Sequence, residues 1–399
     1  MPAAMTRRQA LHRLAGFLAG SPLLDAQYAS RADHQRTPGL DELASALEFE
    51  PIAHAKMTQL NYDYVAGGVE DEVALRRNRK AFDWITLQPR PLAAVTKVDL
   101  TTTILGQPMA SPLLVAPTGG QQGVHSEGDV EMHRGASAAR TTMCVSHVAT
   151  FPLADIAAAA TGPLWSQLYV HLNPTAARER IDQAGEVGCK AIVWTVDAQY
   201  TSLRERLRHG ANLGERTAQG AQAQVAARRR SRARGGRPSN PYGLNPETPD
   251  LTWDFLETLR SWTPLPIVVK GLLTAEDARL AVDSGADAVV VSNHGARYMP
   301  HVAATIETLE EIVDEVDGKI PVLVDGGFRR GSDVLKALAL GADGVLLGRA
   351  ALWGLGAFGA AGVQRVLEIL QTELTLAMAQ CGVASVAEID RSLVRTDFP

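Results

Sequence analysis

Cysteine is nearly missing from this chain. Three cysteines, Cys144, Cys189 and Cys381, are scattered through 399 residues with no CxxC spacing, which argues against a disulfide framework and against a thiolate metal site. Histidines and carboxylates form no cluster with ligand spacing either, so the sequence points to no bound metal. Excess positive charge is missing too. The 39 lysines and arginines face 44 acids, a net charge of −5, and bulk charge gives no reason to expect nucleic acid as a partner. No GxGxxG follows a strand-like run, which speaks against a nicotinamide dinucleotide held in the Rossmann manner. What remains is an ordinary globular balance, 46% hydrophobic and 21% charged, unlike disordered or membrane-embedded chains. The length is large for one domain but suits an α/β barrel with insertions.

The first residues stand apart. In "MTRRQALHRLAGFLAGSPLLDAQ", which starts at Met5, Arg7 and Arg8 follow Thr6 and precede a short, weakly apolar run. That is the pattern of a twin-arginine export signal, and the run is too short to cross a bilayer. An amphipathic helix, or a start codon set too early, would produce the same letters. The signal reading predicts a periplasmic or exported protein, the other readings a cytoplasmic one. Residues from Asp25 to Pro38 read as a linker, which places signal and linker at 1–38 and the main domain at 39–399.

From Gly39 to Asp83 the apolar spacing is helical, as in "LDELASALEFEPIAHAKM", and predicts an N-terminal helical lid or flank. Eight short apolar runs follow: "LLVA" at Leu113, "TMCV" at Thr142, "LWSQLY" at Leu164, "AIVWTV" at Ala191, "PIVVK" at Pro266, "AVVVS" at Ala288, "PVLVD" at Pro321 and "GVLLG" at Gly344. They are continuous rather than alternating, as expected of parallel strands buried on both faces. Helix-period segments separate them, one capped by Thr274 with Asp277 and stopped at Gly285, another predicted to start at Ser332 and end at Gly341. Eight strand and helix units predict a closed (β/α)8 barrel at about 110–370. One stretch, about 210–250, is rich in Gly, Ala, Gln, Arg and Pro and reads as a mobile loop after the fourth strand. Its arginines from Arg228 to Arg237 suit contact with an anionic membrane surface or a redox partner.

In such a barrel the active site lies at the carboxyl ends of the strands. Those ends are polar here: Gln167 and Tyr169 on the third, Thr195 and Asp197 on the fourth, Lys270 on the fifth, and Ser292, Asn293 and His294 on the sixth. Asp325, Gly326 and Gly327 close the seventh, Gly348 and Arg349 the eighth. The last two strand ends are the usual phosphate position, and "DGGFRRG" with Arg329 reads as a cradle for it. A cofactor phosphate there leaves Lys270 beside a ring that accepts electrons. His294 offers an imidazole that can accept a proton, with Asp197 available to orient it. Arg297 offers a planar fork for a carboxylate, and Arg204 a second one.

These residues, with "SNHGAR", "QLYV", "TVDA", "VKGLLTAEDARLAV", "LVDGGFRRGSDVLKALALGADGVLLGR" and "YDYVAGGVEDEVALRRNRKAFDWI", resemble the FMN-dependent α-hydroxy acid oxidases and dehydrogenases, the group of glycolate oxidase, lactate oxidase and mandelate dehydrogenase. The similarity runs from about Leu40 to the C-terminus, except for the loop. The resemblance implies an FMN barrel that oxidises an L-2-hydroxy acid to a 2-oxo acid. It assigns His294 to proton removal with Asp197 behind it, Arg297, Arg204 and Tyr64 to the substrate carboxylate, and Tyr169 to the substrate hydroxyl. For FMN the matching positions are Pro117, Thr118, Gly119, Ser146, Gln167, Thr195, Lys270 and Ser292. Asp325, Gly326, Gly327, Arg329, Gly348 and Arg349 match those that bind its ribityl and phosphate parts. Relatives are usually tetramers.

Three departures from the family pattern bear on these expectations. "DAQYTSLRER" has Gln199 and Ser202 where a proline and a glycine are usual before the arginine, so the position of Arg204 rests on a different loop. Gly119 is alanine in the glycolate oxidase type and glycine in the mandelate dehydrogenase type, which favours a dehydrogenase or poor oxidase with a quinone or cytochrome acceptor over one that uses oxygen. Val148 replaces the bulk of a tryptophan-lined pocket and would admit a side chain larger than glycolate's. The competing reading of the same cradle is an FMN barrel isomerase of the isopentenyl diphosphate type.

Overall fold

The eight apolar runs become the eight staves of a closed parallel barrel. The computed structural model describes residues 37–170, 174–200, 202–207 and 251–399; the twin-arginine pattern, the loop at 210–250 and Arg228 to Arg237 lie outside the described residues. The chain divides into two units, Met1–Leu43 and Ala44–Pro399. In the first, a single 3-10 turn at Leu40–Glu42 is closed by Gly39 N–H donating to Glu42 Oε2 at 2.6 Å. Everything below concerns the second.

Three short strands precede the barrel: β1 (Ile85–Leu87), β2 (Thr102–Ile104) and β3 (Gln107–Met109). The barrel staves are β4 (Leu113–Val115), β5 (Thr142–Val145), β6 (Leu164–Leu168), β7 (Ile192–Thr195), β8 (Ile267–Leu272), β9 (Ala288–Val291), β10 (Val322–Val324) and β11 (Gly344–Leu347). They pair in chain order, and β11 closes on β4 through Val345 to Leu113. Every stave residue except Gly271 is buried. Alternate residues fill the interior: Leu114, Cys144, Trp165, Val193, Val268, Val290, Leu323 and Leu346 form one cluster with Ile104 and Met109 of the β2–β3 hairpin. The hairpin plugs the end of the barrel away from the site, where Trp165 Nε1 donates to Gln107 Oε1 at 3.1 Å.

The helix signals resolve unevenly. Thr274 Oγ1 caps its helix (Ala275–Asp283) by accepting from Asp277 N–H at 3.2 Å, and Gly285 stops it at φ 86°. Ser332 is not the cap of the next such helix. That helix starts at Gly331 behind Arg330, and the Asp333 carboxylate accepts from Arg330 N–H at 3.0 Å. The shorter serine side chain yields to an aspartate one residue later, which suits a helix N-terminus better.

The N-terminal segment is helical as expected and flanks the barrel. It comprises α1 (Phe49–Lys56), α2 (Gln59–Ala66) and α3 (Val73–Lys80). Strand β1 pairs antiparallel with β12 (Val394–Thr396), so the C-terminal strand is fastened to the segment that leads from α3 into the barrel. Arg77 of α3 grips Glu307 with two bonds of 2.7 and 2.8 Å, and Arg79 donates to Gly327 O at 2.7 Å. Helix α3 therefore lies against the loops that leave β9 and β10.

Candidate active site

A belt of hydrogen-bonded polar side chains crosses the carboxyl ends of the staves. Gln167 Nε2 donates to Thr195 Oγ1 at 3.0 Å, while its Oε1 accepts from His147 N–H at 2.9 Å and lies 3.4 Å from Ser146 Oγ. On the other half of the mouth, Lys270 Nζ donates to Ser292 Oγ at 2.7 Å and pairs with Asp325 at 2.8 Å. Lys270 is fully enclosed by protein. Burial pushes its pKa down, but the carboxylates of Asp325 and Asp197 outweigh that and leave it above the ordinary lysine value. It therefore stays a cation at the barrel mouth. A bulge between Lys270 and Leu272 sets its direction, and Gly271 (φ 120°) must be glycine because a Cβ would stand 2.7 Å from Asp197 Cβ.

His294 leaves β9 on a strained turn. His294, Gly295 and Ala296 have φ of 57°, 63° and 58°, three left-handed residues in a row of which two carry side chains. Each non-glycine residue held there costs about 1–2 kcal/mol. The surroundings hold the turn in place. His294 N–H donates to Ser292 Oγ at 3.1 Å, Arg349 Nη1 to Gly295 O at 2.9 Å and Val69 N–H to Ala296 O at 2.9 Å.

That turn presents the imidazole between a carboxylate and a phenol. Nδ1 of His294 lies 2.7 Å from Asp197 Oδ1, and Nε2 lies 3.4 Å from the Tyr169 hydroxyl. A carboxylate only accepts, so Nδ1 carries the proton and Nε2 is the basic nitrogen. Burial raises the Asp197 pKa, but the histidine's charge and hydrogen bond, with Lys270 behind, hold it below the ordinary carboxylate range. Burial raises the Tyr169 hydroxyl far above the ordinary phenol value, so it remains a neutral donor.

Beside the base stand two arginines across one aromatic ring. The guanidinium of Arg297 lies 5.0 Å and that of Arg204 5.4 Å from the centroid of Tyr64. Arg297 Nη1 donates to the carbonyls of Tyr64 and Gly67 at 2.8 and 3.2 Å, which fixes one edge of the fork. Burial first, and then the Arg297 charge, lower Arg204 to about 10. The loop with Gln199 and Ser202 thus still brings Arg204 beside Tyr64 and Arg297, helped by Leu203 O accepting from Glu70 N–H at 2.7 Å.

The end of β10 and β11 carries more positive charge. Burial lowers Arg329 to about 10, and burial with the charges of Arg297 and Arg329 depresses Arg349 well below the arginine value. Arg349 donates to the carbonyls of Val65, Gly295 and Gly67, and Arg329 to Phe328 O. The backbone N–H groups of Arg329 and Arg330 both go to the Asp333 carboxylate, at 2.9 and 3.0 Å. Gly326 and Gly327 are bare because α3 and its surroundings press on them: a Cβ would meet Thr305 Oγ1 at 2.7 Å and Asn78 O at 2.2 Å. By contrast, a Cβ on Gly348 would have 3.9 Å of room. Gly348 precedes a helix that starts at Arg349 without a side-chain cap and is broken at Phe358 and Gly359, and Thr118 is the nearest side chain across from Gly348.

On the first strand loop, Pro117, Thr118 and Gly119 are half-buried, and a Cβ on Gly119 would stand 2.6 Å from Val148 Cγ2. Gln121, fully buried, holds this loop through Thr118 O and Oγ1 at 3.1 and 3.0 Å. Four further residues belong to the site and carried no sequence signal of their own: Gln121, His147, Tyr298 and the pair partner of Asn293, Asn78. His147 Nδ1 accepts from Tyr169 N–H at 2.9 Å. Tyr298, only one residue beyond Arg297, meets the His294 ring.

The donor set fits a flavin mononucleotide. Arg204, Arg297, Arg329 and Arg349 form no ion pair among the described residues, although the neighbouring Arg79 and Arg330 do. Buried Oδ1 of Asp325 and Oε1 of Gln121 have no hydrogen-bond partner among the described residues. Uncompensated cations and unsatisfied acceptors around one barrel mouth suit a phosphate, a polyol and a ring with N–H groups. A closed parallel barrel with this mouth and a His–Asp dyad defines a flavin-dependent barrel oxidoreductase.

Comparison narrows the class. Residues 53–396 match the model of the FMN-dependent dehydrogenase family, and the chain belongs to that family, with FMN as its cofactor. It is 40% identical over 362 residues to glycolate oxidase 3 of Arabidopsis thaliana, covering 90% of this chain and 97% of the relative. It is 40% identical over 358 residues to an L-lactate oxidase of Nostoc sp., covering 87% and 96%. A solved flavocytochrome b2 variant with pyruvate bound superposes with a TM-score of 0.80 at 32% identity, covering 90% and 88%. These relatives fit oxidation of a 2-hydroxy acid better than the diphosphate isomerase reading.

Proposed function

We propose that this protein oxidises an L-2-hydroxy acid to the 2-oxo acid. The observation that carries the reading is the pair of guanidinia beside the Tyr64 ring, without a carboxylate partner among the described residues, near a histidine whose Nδ1 is held by Asp197. Such a pair needs an anion, and a planar carboxylate matches the fork.

Oxidation removes two protons and an electron pair from the hydroxyl-bearing carbon and its oxygen. Bound FMN supplies the two-electron acceptor. Arg297 and Arg204 hold the carboxylate, and Tyr64 adds a hydrogen bond to it. The Tyr169 hydroxyl holds the substrate oxygen near His294 Nε2, which takes a proton, whether from carbon or from oxygen. Asp197 then neutralises the imidazolium across the 2.7 Å bond. On the cofactor side, Ser146, Gln167, Thr195, Lys270 and Ser292 would hold the ring of FMN, while Asp325, Arg329, Gly348 and Arg349 would hold its ribityl and phosphate parts. Lys270, kept cationic by Asp325 and Asp197, would supply positive charge beside the ring. Anaerobic bleaching of the flavin by lactate, glycolate, mandelate or a longer L-2-hydroxy acid, with no pyridine nucleotide, tests the reading; a flavin that none of them reduces would overturn it.

The same reading takes oxygen, a quinone or a cytochrome as final acceptor. Gly119 supports the dehydrogenase side of that choice, and reoxidation of the bleached flavin by air against a quinone measures it. Arg7 and Arg8 after Thr6 support export by the twin-arginine route, which carries folded, cofactor-loaded proteins, and Arg228 to Arg237 support contact with an anionic membrane. Fractionation of cells carrying Arg7→Lys with Arg8→Lys checks the first, and sedimentation with anionic vesicles the second. The assembly proposed is a homotetramer, to be checked by its mass in solution.

A further inference from the structure

We infer that the Asn78–Asn293 amide pair is a positioning device for the base, through which helix α3 holds the left-handed turn that aims His294 into the barrel mouth. The kinetic part of the inference rests on the 2-hydroxy acid reading; the structural part does not.

The two side chains are 215 residues apart in sequence and both are buried. Their amides bond reciprocally: Asn78 Nδ2 donates to Asn293 Oδ1 at 2.9 Å, and Asn293 Nδ2 donates to Asn78 Oδ1 at 2.7 Å. Asn293 is the residue immediately before the strained turn. Its Oδ1 also accepts from Ala296 N–H at 3.1 Å, and its Nδ2 also donates to Ala303 O at 3.2 Å. One side chain thus spans the turn from its first residue to its last left-handed one, and Asn78 fixes that side chain. Losing Asn293 strands the buried Asn78 amide, whereas losing Asn78 leaves Asn293 only its bonds to Ala296 and Ala303 and removes the partner that ties it to helix α3.

Asn78 also belongs to the neighbouring loop. Its backbone O and side chain lie against Gly327 and Gly326 of β10's loop, close enough that a Cβ on either glycine would be displaced or crowded. The same residue therefore references the base-bearing loop and the cofactor-bearing loop to one helix. Without that link, two non-glycine residues at φ 57° and 58° have a strong incentive to relax to negative φ, which swings the imidazole away from Asp197.

The test uses FMN-loaded wild type, Asn78→Ala, Asn78→Asp, Asn293→Ala and the Asn78→Ala/Asn293→Ala double variant. The inference predicts normal flavin content and faster amide hydrogen exchange across residues 292–298, by about tenfold or more. It predicts that the rate constant for flavin reduction at saturating L-2-hydroxy acid falls about tenfold or more, that KM moves far less, and that the double variant is no slower than the slower single one. Asn78→Asp, of the same size, keeps an acceptor for Asn293 Nδ2, loses the donor to Asn293 Oδ1 and sets a carboxyl oxygen against it, so it carries the test if the alanine variants do not load flavin. Unchanged exchange in 292–298, an unchanged reduction rate with only a lower melting temperature, or multiplicative losses in the double variant would each overturn the inference. If the wild type is reduced by no hydroxy acid, the proposed activity fails, and hydrogen exchange still decides the role of the pair.

Discussion

The ring of Tyr298 stands edge-on to the imidazole of His294, with centroids 4.7 Å apart and planes crossing at 71°. Tyr169 faces the same imidazole nearly parallel, at 6.5 Å and 18°. The imidazole is thus enclosed by two aromatic rings and one carboxylate, and each contact limits a different rotation.

Removing the Tyr298 ring should therefore loosen the base. An edge-to-face pair contributes about 0.5–1.5 kcal/mol, so Tyr298→Ala should slow flavin reduction roughly three- to tenfold, while Tyr298→Phe should stay near wild type. Stopped-flow reduction of both variants checks this, and equal losses would assign the effect to the hydroxyl instead of the ring.

Asp197→Asn replaces an acceptor that fixes the imidazole tautomer with an amide that accepts or donates. Flavin reduction should fall about a hundredfold or more, with smaller effects on KM. Because Asp197 is held below the usual carboxylate range, it stays ionised throughout the neutral region, so it should add no limb to the pH profile there. A variant within a few-fold of wild type would remove Asp197 from the mechanism.

Arg297 uses one edge of its guanidinium on backbone carbonyls, which leaves the fork fixed in orientation. Arg297→Lys keeps the charge and loses the fork, and should raise KM about tenfold. Arg297→Met loses both and should cost about a hundredfold or more in kcat/KM. Steady-state kinetics with one hydroxy acid separates them; equal losses would mean that the charge at this position contributes nothing.

Asp129 tests the electrostatics away from the chemistry. Burial raises it from 3.8 to about 6 against hydrogen bonds from backbone N–H groups, including Thr150 at 3.0 Å, and its Oδ1 has no partner. A raised carboxyl pKa favours the folded state while protonated. Its contribution is full below 3.8 and is lost as pH rises through about 6. Asp129→Asn should therefore gain on wild type between about pH 4 and pH 7, by up to about 3 kcal/mol. Denaturant melts at both pH values measure it, and a difference that does not change with pH would contradict the account.

Much of this was legible in the sequence because continuous apolar runs of four to six residues can be buried on two faces only in a parallel sheet. All eight runs became staves, and the residues at their polar ends converged. The helix expected at Ser332 starts one residue earlier, at Gly331, and only the fold shows that Asp333 takes the Arg330 N–H at that end. Asn78 and Tyr298 stayed hidden for different reasons. Asn78 sits in a strongly basic helix whose partner lies 215 residues on, and Tyr298 acquires its meaning from a turn of three left-handed residues that no periodicity announces. The glycines of "DGGFRRG" read as making room for a phosphate; Gly326 and Gly327 also make room for Asn78 and Thr305.

The central claim is that His294 removes a proton from a hydroxy acid held on Arg297 and Arg204. Its most direct test is anaerobic stopped-flow reduction of the bound flavin by an L-2-hydroxy acid in wild type and His294→Ala. The account predicts that wild type bleaches and that the variant keeps its flavin and still binds the acid, but is reduced about a thousandfold more slowly or not at all. Reduction of His294→Ala at the wild-type rate would contradict it.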